Sequence, residues 1–379
     1  MHKGLMAQGS EQQGLKALAE EVVRQANAKR DFVAYTKGLR FDERAHFWMT
    51  PPDEEEQEFG INDYAHGQIA GFTDIPRKYY NLMRDQKPEL LAQNVNTWFR
   101  EKNEARTVRL LDGRLRAFLS SAYRRRDNYE LAQMAIPVIQ DLGLQVMSAE
   151  ITERRLYLKA VDKRIEQDIP KGKYMGDGSH TIFDTLSPAL CLSNSEIGQG
   201  ALSVEVGTLT KGCTNLAWFS NRSMRKFHLG SKMDLTEDVY ALFSDETKSV
   251  TDQALWLQVR DTIRNAFDQK LFKTLADEIK GTAEHKIVGD VPQVVELVGE
   301  RYGMTQSTRQ DVLKHLIEGG SLSQYGLANA VTRAAEDQES YDHASDYEQA
   351  GGNILTLNAK EWEELNTTKP GKAKKELVN

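Results

Sequence analysis

"SPALCLSNSEIGQGALSVEVGTLT", Ser187 to Thr210, is the stretch on which the fold turns. Leu202, Val204 and Val206 alternate with Ser203, Glu205 and Gly207, the period of a strand with one buried face. The polar, glycine-containing run before them reads as a turn that exposes Asn194, Ser195 and Gln199 for hydrogen bonding. Upstream, "LQVMSAEITERRLYLKAV" (Leu144 to Val161) offers two more short strands. "PKGKYMGDGSH" (Pro170 to His180), rich in glycine, reads as a turn or mobile loop. The middle of the chain is therefore β-rich.

Further towards the N-terminus, "TVRLL" and "RLRAFL" flank Asp112-Gly113, a strong two-residue hairpin signal. Alternation places Arg114 and Arg116 on one strand face and Leu115 on the other. A helix is expected over Asn128 to Leu142, closed by Gly143. "NDYAHGQIAGFTDIPRKYY" reads as two short helices joined at Phe72 to Pro76, with Asn62 as N-cap and Pro76 in the first turn of the second. Leu15, Leu18, Val22 and Val23 mark an amphipathic helix within residues 11–30. The Pro51 to Gly60 stretch, "PPDEEEQEFG", reads as a solvated acidic loop.

After Thr236 the period changes to that of helices. Leu255, Val259, Ile263, Phe267 and Leu271 recur every four residues along one continuous side. "QVVELVGERYG" and "TRQDVLKHLIEGG" end in glycine, as capped helices do. The expected class is α+β: N-terminal helices, a central antiparallel sheet from about Thr107 to Leu229, and a helical C-terminal region. The corresponding division is an N-terminal helix and acidic loop over 1–60, an α+β core over 61–235, helices over 236–365 and a disordered tail over 366–379.

Hydrophobic residues form 40% and charged residues 28% of the 379, which excludes a wholly disordered or fibrous chain. No apolar run could cross a bilayer and the N-terminus carries no signal-peptide pattern, so the expected location is the cytoplasm, without membrane partners. Cys191 and Cys213 lack a C-x-x-C partner and are expected as free thiols. Neither Cys213 with His228 nor the scattered His180, His228 and His343 has metal-site spacing, so no metal or cofactor is expected. No nucleophile elbow or phosphate-loop pattern occurs, Ser195 beside Glu196 included, and no catalytic residue is assigned.

Charge clustering remains. The net charge is -7, yet Lys211 to Lys232, "KGCTNLAWFSNRSMRKFHLGSK", holds five Lys or Arg and no acid. Arg100 to Arg126 holds nine basic residues against three acids. Cations interleaved with Trp218 and Phe227 are what a single-strand binder uses, charge for phosphate and aromatic faces for bases. The expected nucleic-acid contacts are Arg109, Arg114, Arg116, Arg124, Arg125, Arg126, Lys211, Arg222, Arg225, Lys226 and Lys232, with Trp218 or Phe227 stacking. A second expectation is duplex reading by the helices of residues 65–80, with Arg77 and Lys78 opening the recognition helix; there Asp74 stands where a turn glycine is usual.

In order along the chain, "IPRKYY" (75–80), "NVNTWF" (94–99), "LRAFLSSAYRRRDN" (115–128), "LSNSEIGQGALSV" (192–204), "GCTNL" (212–216), "NAVTRAAED" (329–337) and "AGGNILTL" (350–357) resemble a phage- and plasmid-associated family, domain of unknown function nine-three-two. That resemblance implies carriage on mobile elements and no assigned reaction. The chain is also distantly similar to single-strand annealing proteins of recombination. This similarity implies a sheet with helices, assembly of copies around DNA, and the hairpin and the Lys211 to Lys232 segment as groove-lining strands.

Overall fold

The computed structural model describes residues 8–173, 181–211, 215–226 and 245–367. It is an α+β protein with two six-stranded sheets and, among the described residues, twelve α-helices. The single central sheet expected from the sequence is thus two sheets, and the Asp-Gly hairpin belongs to the first.

The first sheet is built from β1 (Arg30–Tyr35), β2 (Leu39–Phe41), β3 (Phe47–Met49), β4 (Gln57–Ile61), β5 (Ala105–Leu111) and β6 (Arg114–Ser120), in the order β1-β5-β6-β4-β3-β2. Only β4 and β6 run parallel. The β5–β6 turn has Asp112 and Gly113 at φ 51° and 72°, the left-handed pair that a two-residue hairpin requires. Residues 30–61 therefore hold four strands where only the acidic loop of Pro51 to Gly60 was expected, while the helix expected within 11–30 is present as Gln8–Ala28. The acidic run stays a turn only as far as Glu56, and Gln57–Ile61 pairs with both β3 and β6.

Helices α1 (Gln8–Ala28), α2 (Asp63–Phe72), α3 (Arg77–Gln86) and α4 (Pro88–Lys102) complete this half. Asn62 caps α2 by accepting from the Ala65 N–H at 2.8 Å. Ile69, Tyr80, Leu91, Val95 and Phe99 are buried against Phe47, Val108 and Phe118 of the sheet. Phe99 and Phe118 stack with centroids 5.6 Å apart.

After α5 (Asn128–Asp141) the second sheet follows: β7 (Gln145–Ile151), β8 (Leu156–Val161), β9 (Gln167–Lys173), β10 (Thr181–Asn194), β11 (Leu202–Thr210) and β12 (Asn215–Lys226). Its order is β12-β11-β10-β8-β7, with β9 paired to the first part of β10. Pro170 to Lys173 are thus strand; residues 174–180 lie outside the described ones.

Seven helices close the fold: α6 (Asp245–Ala266), α7 (Gln269–Thr282), α8 (Val291–Arg301), α9 (Gln306–Gly319), α10 (Gln324–Glu336), α11 (Tyr341–Leu355) and α12 (Ala359–Thr367). The stripe from Leu255 to Leu271 does not run on one helix. Asp268 accepts from the N–H groups of Lys270 and Leu271 and starts α7 afresh, which turns Leu271 outward to 52% exposure. Gly303 and Gly320 stand at positive φ after α8 and α9, as the sequence suggests.

Helices cover the second sheet on both sides. Leu18, Leu131, Ile139, Val259 and Ile263 pack with Leu158, Leu190, Leu192, Leu202 and Val204. Across the sheet, Phe219 and Leu186 join the core of α7 to α12. This double cover explains why β8 is buried at every position, and why Ser203 and Glu205, the polar half of the alternating strand, are buried too. No described helix is long and apolar enough to cross a membrane.

Candidate functional site

Three of the arginines singled out in the sequence, Arg109, Arg124 and Arg126, are structural. Arg109 is wholly buried on β5, opposite Asp31 of β1. It donates to both Asp31 oxygens at 2.9 Å, to Asp127 Oδ1 at 2.7 Å and to the Glu196 carbonyl at 2.8 Å. Lys29 also donates to Asp127. This clamp ties the first sheet, the start of α5 and the turn after β10 together, and no phosphate can reach its guanidinium. Arg126 is buried, and Arg124 is held by Asp252 of α6 at 2.8 Å.

Trp218 is 1% exposed, and its indole N–H donates to Glu348 of α11 at 2.7 Å, beside Lys159 bonded to the same carboxylate at 2.6 Å. It cannot stack on a base. Phe219 is equally buried. Arg222, Arg225 and Lys226 lie on β12, but their side chains are outside the described residues, as are Phe227 and Lys232 altogether. Asn194 and Ser195 are not exposed but wholly buried: Asn194 donates to Arg126 O and Asn128 Oδ1, both at 2.9 Å, and Ser195 Oγ to Arg154 O at 2.8 Å.

Three of the expected cations are exposed. Lys211 pairs with Glu166 at 2.8 Å, and Arg125 lies 3.9 Å from Asp31. Arg114 opens instead onto a cleft of about 430 Å³ at the seam between the two sheets. Arg116, two residues along the same strand face, lines it as well, together with Arg154 and Arg155 from the β7–β8 turn. That turn is held rigid because Thr152 Oγ1 accepts from the Arg154 and Arg155 N–H groups at 3.1 and 3.0 Å. The Arg155 guanidinium passes directly over Gly200, where any Cβ would collide with it.

The charge in the cleft is only partly neutralised. Glu21 and Asp112 on its rim are taken by Arg24, at 2.7 and 2.9 Å. Glu196 is taken by Arg116 at 2.5 Å and by the Asn128 N–H at 2.6 Å. Among the described residues neither Arg114 nor Arg155 has a carboxylate within ion-pair reach; Arg114 meets only the Ile61 carbonyl, at 3.4 Å. The Nε–H groups of Arg116 and Arg155 are buried without a hydrogen-bond partner. A buried donor left unmade costs about 1–3 kcal/mol. Planar guanidiniums with spare donors suit an oxyanion, phosphate above all. Arg154 and Arg155 stand in "TERR", which in the sequence reads as a mere link between strands; two adjacent arginines at a hairpin turn are the signal it carries.

The α2–α3 pair has its own geometry. Asp74 in the joining turn takes φ 55°, the left-handed conformation for which glycine is usual. Pro76 sits just ahead of α3 rather than in its first turn. Arg77 and Arg84 both hold Asp63, at 3.0 and 2.9 Å, while Lys78, Tyr79 and Leu82 are exposed.

No known protein family, curated protein or solved structure matches the chain.

Proposed function

We propose that this chain is a non-catalytic nucleic-acid-binding protein that takes single-stranded DNA across the arginine cleft, in recombination or replication of a phage or plasmid within the cytoplasm. The observation that carries the reading is the pairing of Arg114 and Arg155, which lack carboxylate partners among the described residues, with Arg116, whose Nε–H is unsatisfied, in one cleft. A flexible strand can bend its phosphates into a recess, whereas a duplex carries them on a stiff cylinder. The open edge of β1, with Val33 and Tyr35 each 61% exposed, supports association of copies into a homo-oligomer.

The test is fluorescence anisotropy of labelled single- and double-stranded DNA over a salt series. Each phosphate contact on a single strand contributes about 0.7 to the salt slope. Replacing Arg114 and Arg155 by Ala should lower that slope by about 1.4, while Lys211→Ala leaves the cleft and the slope unchanged. A parent protein that binds neither DNA form at low salt refutes the reading.

A second reading rests on the left-handed Asp74 turn and the exposed Lys78, Tyr79 and Leu82 of α3: a duplex reader of the helix-turn-helix kind. It is favoured if one duplex sequence binds about 10³-fold tighter than random DNA and Lys78→Ala removes the preference.

A further inference from the structure

A group of side chains outside the lining of the arginine cleft is arranged as metal ligands are. Asp42 follows β2, His46 precedes β3, and Glu58 lies on β4 directly opposite Trp48 of β3. One ligand atom from each, an imidazole nitrogen and two carboxylate oxygens, lies within 4.8 Å of the others. We propose that Asp42, His46 and Glu58 bind a divalent transition-metal ion of the zinc class.

The spacing carries the argument. A tetrahedral zinc ion with ligands at about 2.0–2.2 Å holds neighbouring ligand atoms about 3.4 Å apart. His46 Nδ1 is 3.0 Å from Glu58 Oε1 and 3.6 Å from Asp42 Oδ2, on either side of that value. Three protein ligands leave one position open, the arrangement of a zinc ion that keeps a water. One imidazole with two carboxylates favours zinc, cobalt or nickel over magnesium, calcium or manganese, which are suited by oxygen ligands alone.

Asp42 is also fixed before any ion arrives. Its Oδ1 accepts from the N–H groups of Arg44 and His46, both at 2.9 Å, and its Oδ2 from the Trp48 indole at 3.0 Å. A second lone pair on Oδ2 remains for a metal. Such outer contacts orient a ligand and strengthen a site. The same three side chains have one other self-consistent state, an imidazolium of His46 bridging the two carboxylates, and the experiment separates the two.

The full chain, stripped with a chelator, is titrated with Zn²⁺ by calorimetry and with Co²⁺ by visible absorption. The expected result is a site of one ion per chain, with Co²⁺ bands of a nitrogen and oxygen environment. His46→Ala and Glu58→Gln should each weaken it by about 10-fold or more, since even indirect supports of a metal site are worth 10- to 100-fold. Both residues are nearly half exposed, so neither change threatens the fold, and Asp42 is left intact for its turn. Metal binding that is the same in the parent and both variants overturns the proposal by placing the ion elsewhere. Absence of binding by the stripped parent chain overturns it in favour of the contacts of His46 with the two carboxylates alone.

Discussion

Replacing Arg109 by Met separates a structural arginine from a DNA-contacting one. The change leaves Asp31 and Asp127 buried without their main partner and the Glu196 carbonyl without its donor. Removing one member of a buried ion pair costs about 3–5 kcal/mol. Lys29 still holds Asp127, and Arg125 is 3.9 Å from Asp31, so the low end, about 3 kcal/mol, is expected. That is a large part of the roughly 5–15 kcal/mol that keeps a protein folded. In urea it moves the midpoint down by about 1 M, taking about 3 kcal/mol per molar as the slope for a chain of this size.

The loss should also depend on pH. Burial pushes the Asp127 carboxyl up, but Arg109 and Lys29 outweigh it and hold the group below its ordinary 3.8. Its stabilisation is present above that ordinary value and lost as pH falls through the lower folded one. The gap between parent and variant should therefore be full at neutral pH and shrink in acid, as the buried carboxyl becomes protonated. A variant with an unmoved urea midpoint and a weakened salt slope for DNA would refute the reasoning, because Arg109 would then be a surface contact.

Four further outcomes are expected. Trp218→Phe loses the indole bond to Glu348 and about 1–2 kcal/mol of stability, read by thermal unfolding, with DNA affinity unchanged. Gly352→Ala drives a Cβ into the Trp218 backbone where α11 lies on β12, and should cost about 1–3 kcal/mol or more by the same assay. Burial, with Arg84 and Arg77 nearby, pulls the His66 imidazole down to about 4, so its NMR signals should not move through the ordinary value of 6.5. The stability it contributes is complete above 6.5 and is lost as pH falls towards about 4. The Cys191 thiol, pushed far up by burial, should react with a disulfide reagent only after unfolding.

What could be read from the sequence was what is decided locally. The Asp-Gly hairpin, the Asn62 cap and the glycine stops of α8 and α9 depend on a few adjacent residues, and each is where the pattern put it. Strands β2 and β3 are three residues each, too short to show a period, so the first sheet was invisible and its hairpin was assigned to the second. Trp218 among cations read as a stacking surface. What buries Trp218 is Glu348 and its helix, 130 positions away. Arg109 likewise resembled its exposed neighbours, because its partners Asp31 and Asp127 are 78 and 18 residues distant. The arginine cleft was half legible, through Arg114 and Arg116. The Asp42, His46 and Glu58 group was not, since Glu58 sat in what read as a solvated acidic run.

The seating of α11 on β12 bears on how the chain is made. Trp218, Lys159 and Gln349, which donates to the Trp218 carbonyl, all complete their bonding through that late helix. A ribosome adding about 5–20 residues each second needs on the order of 10 s to travel from Trp218 to Glu348. Throughout that interval the nascent second sheet presents an uncovered apolar face and a lysine without its carboxylate. Newly made chains should thus bind chaperones most strongly after β12 has emerged, and release them once α11 has followed.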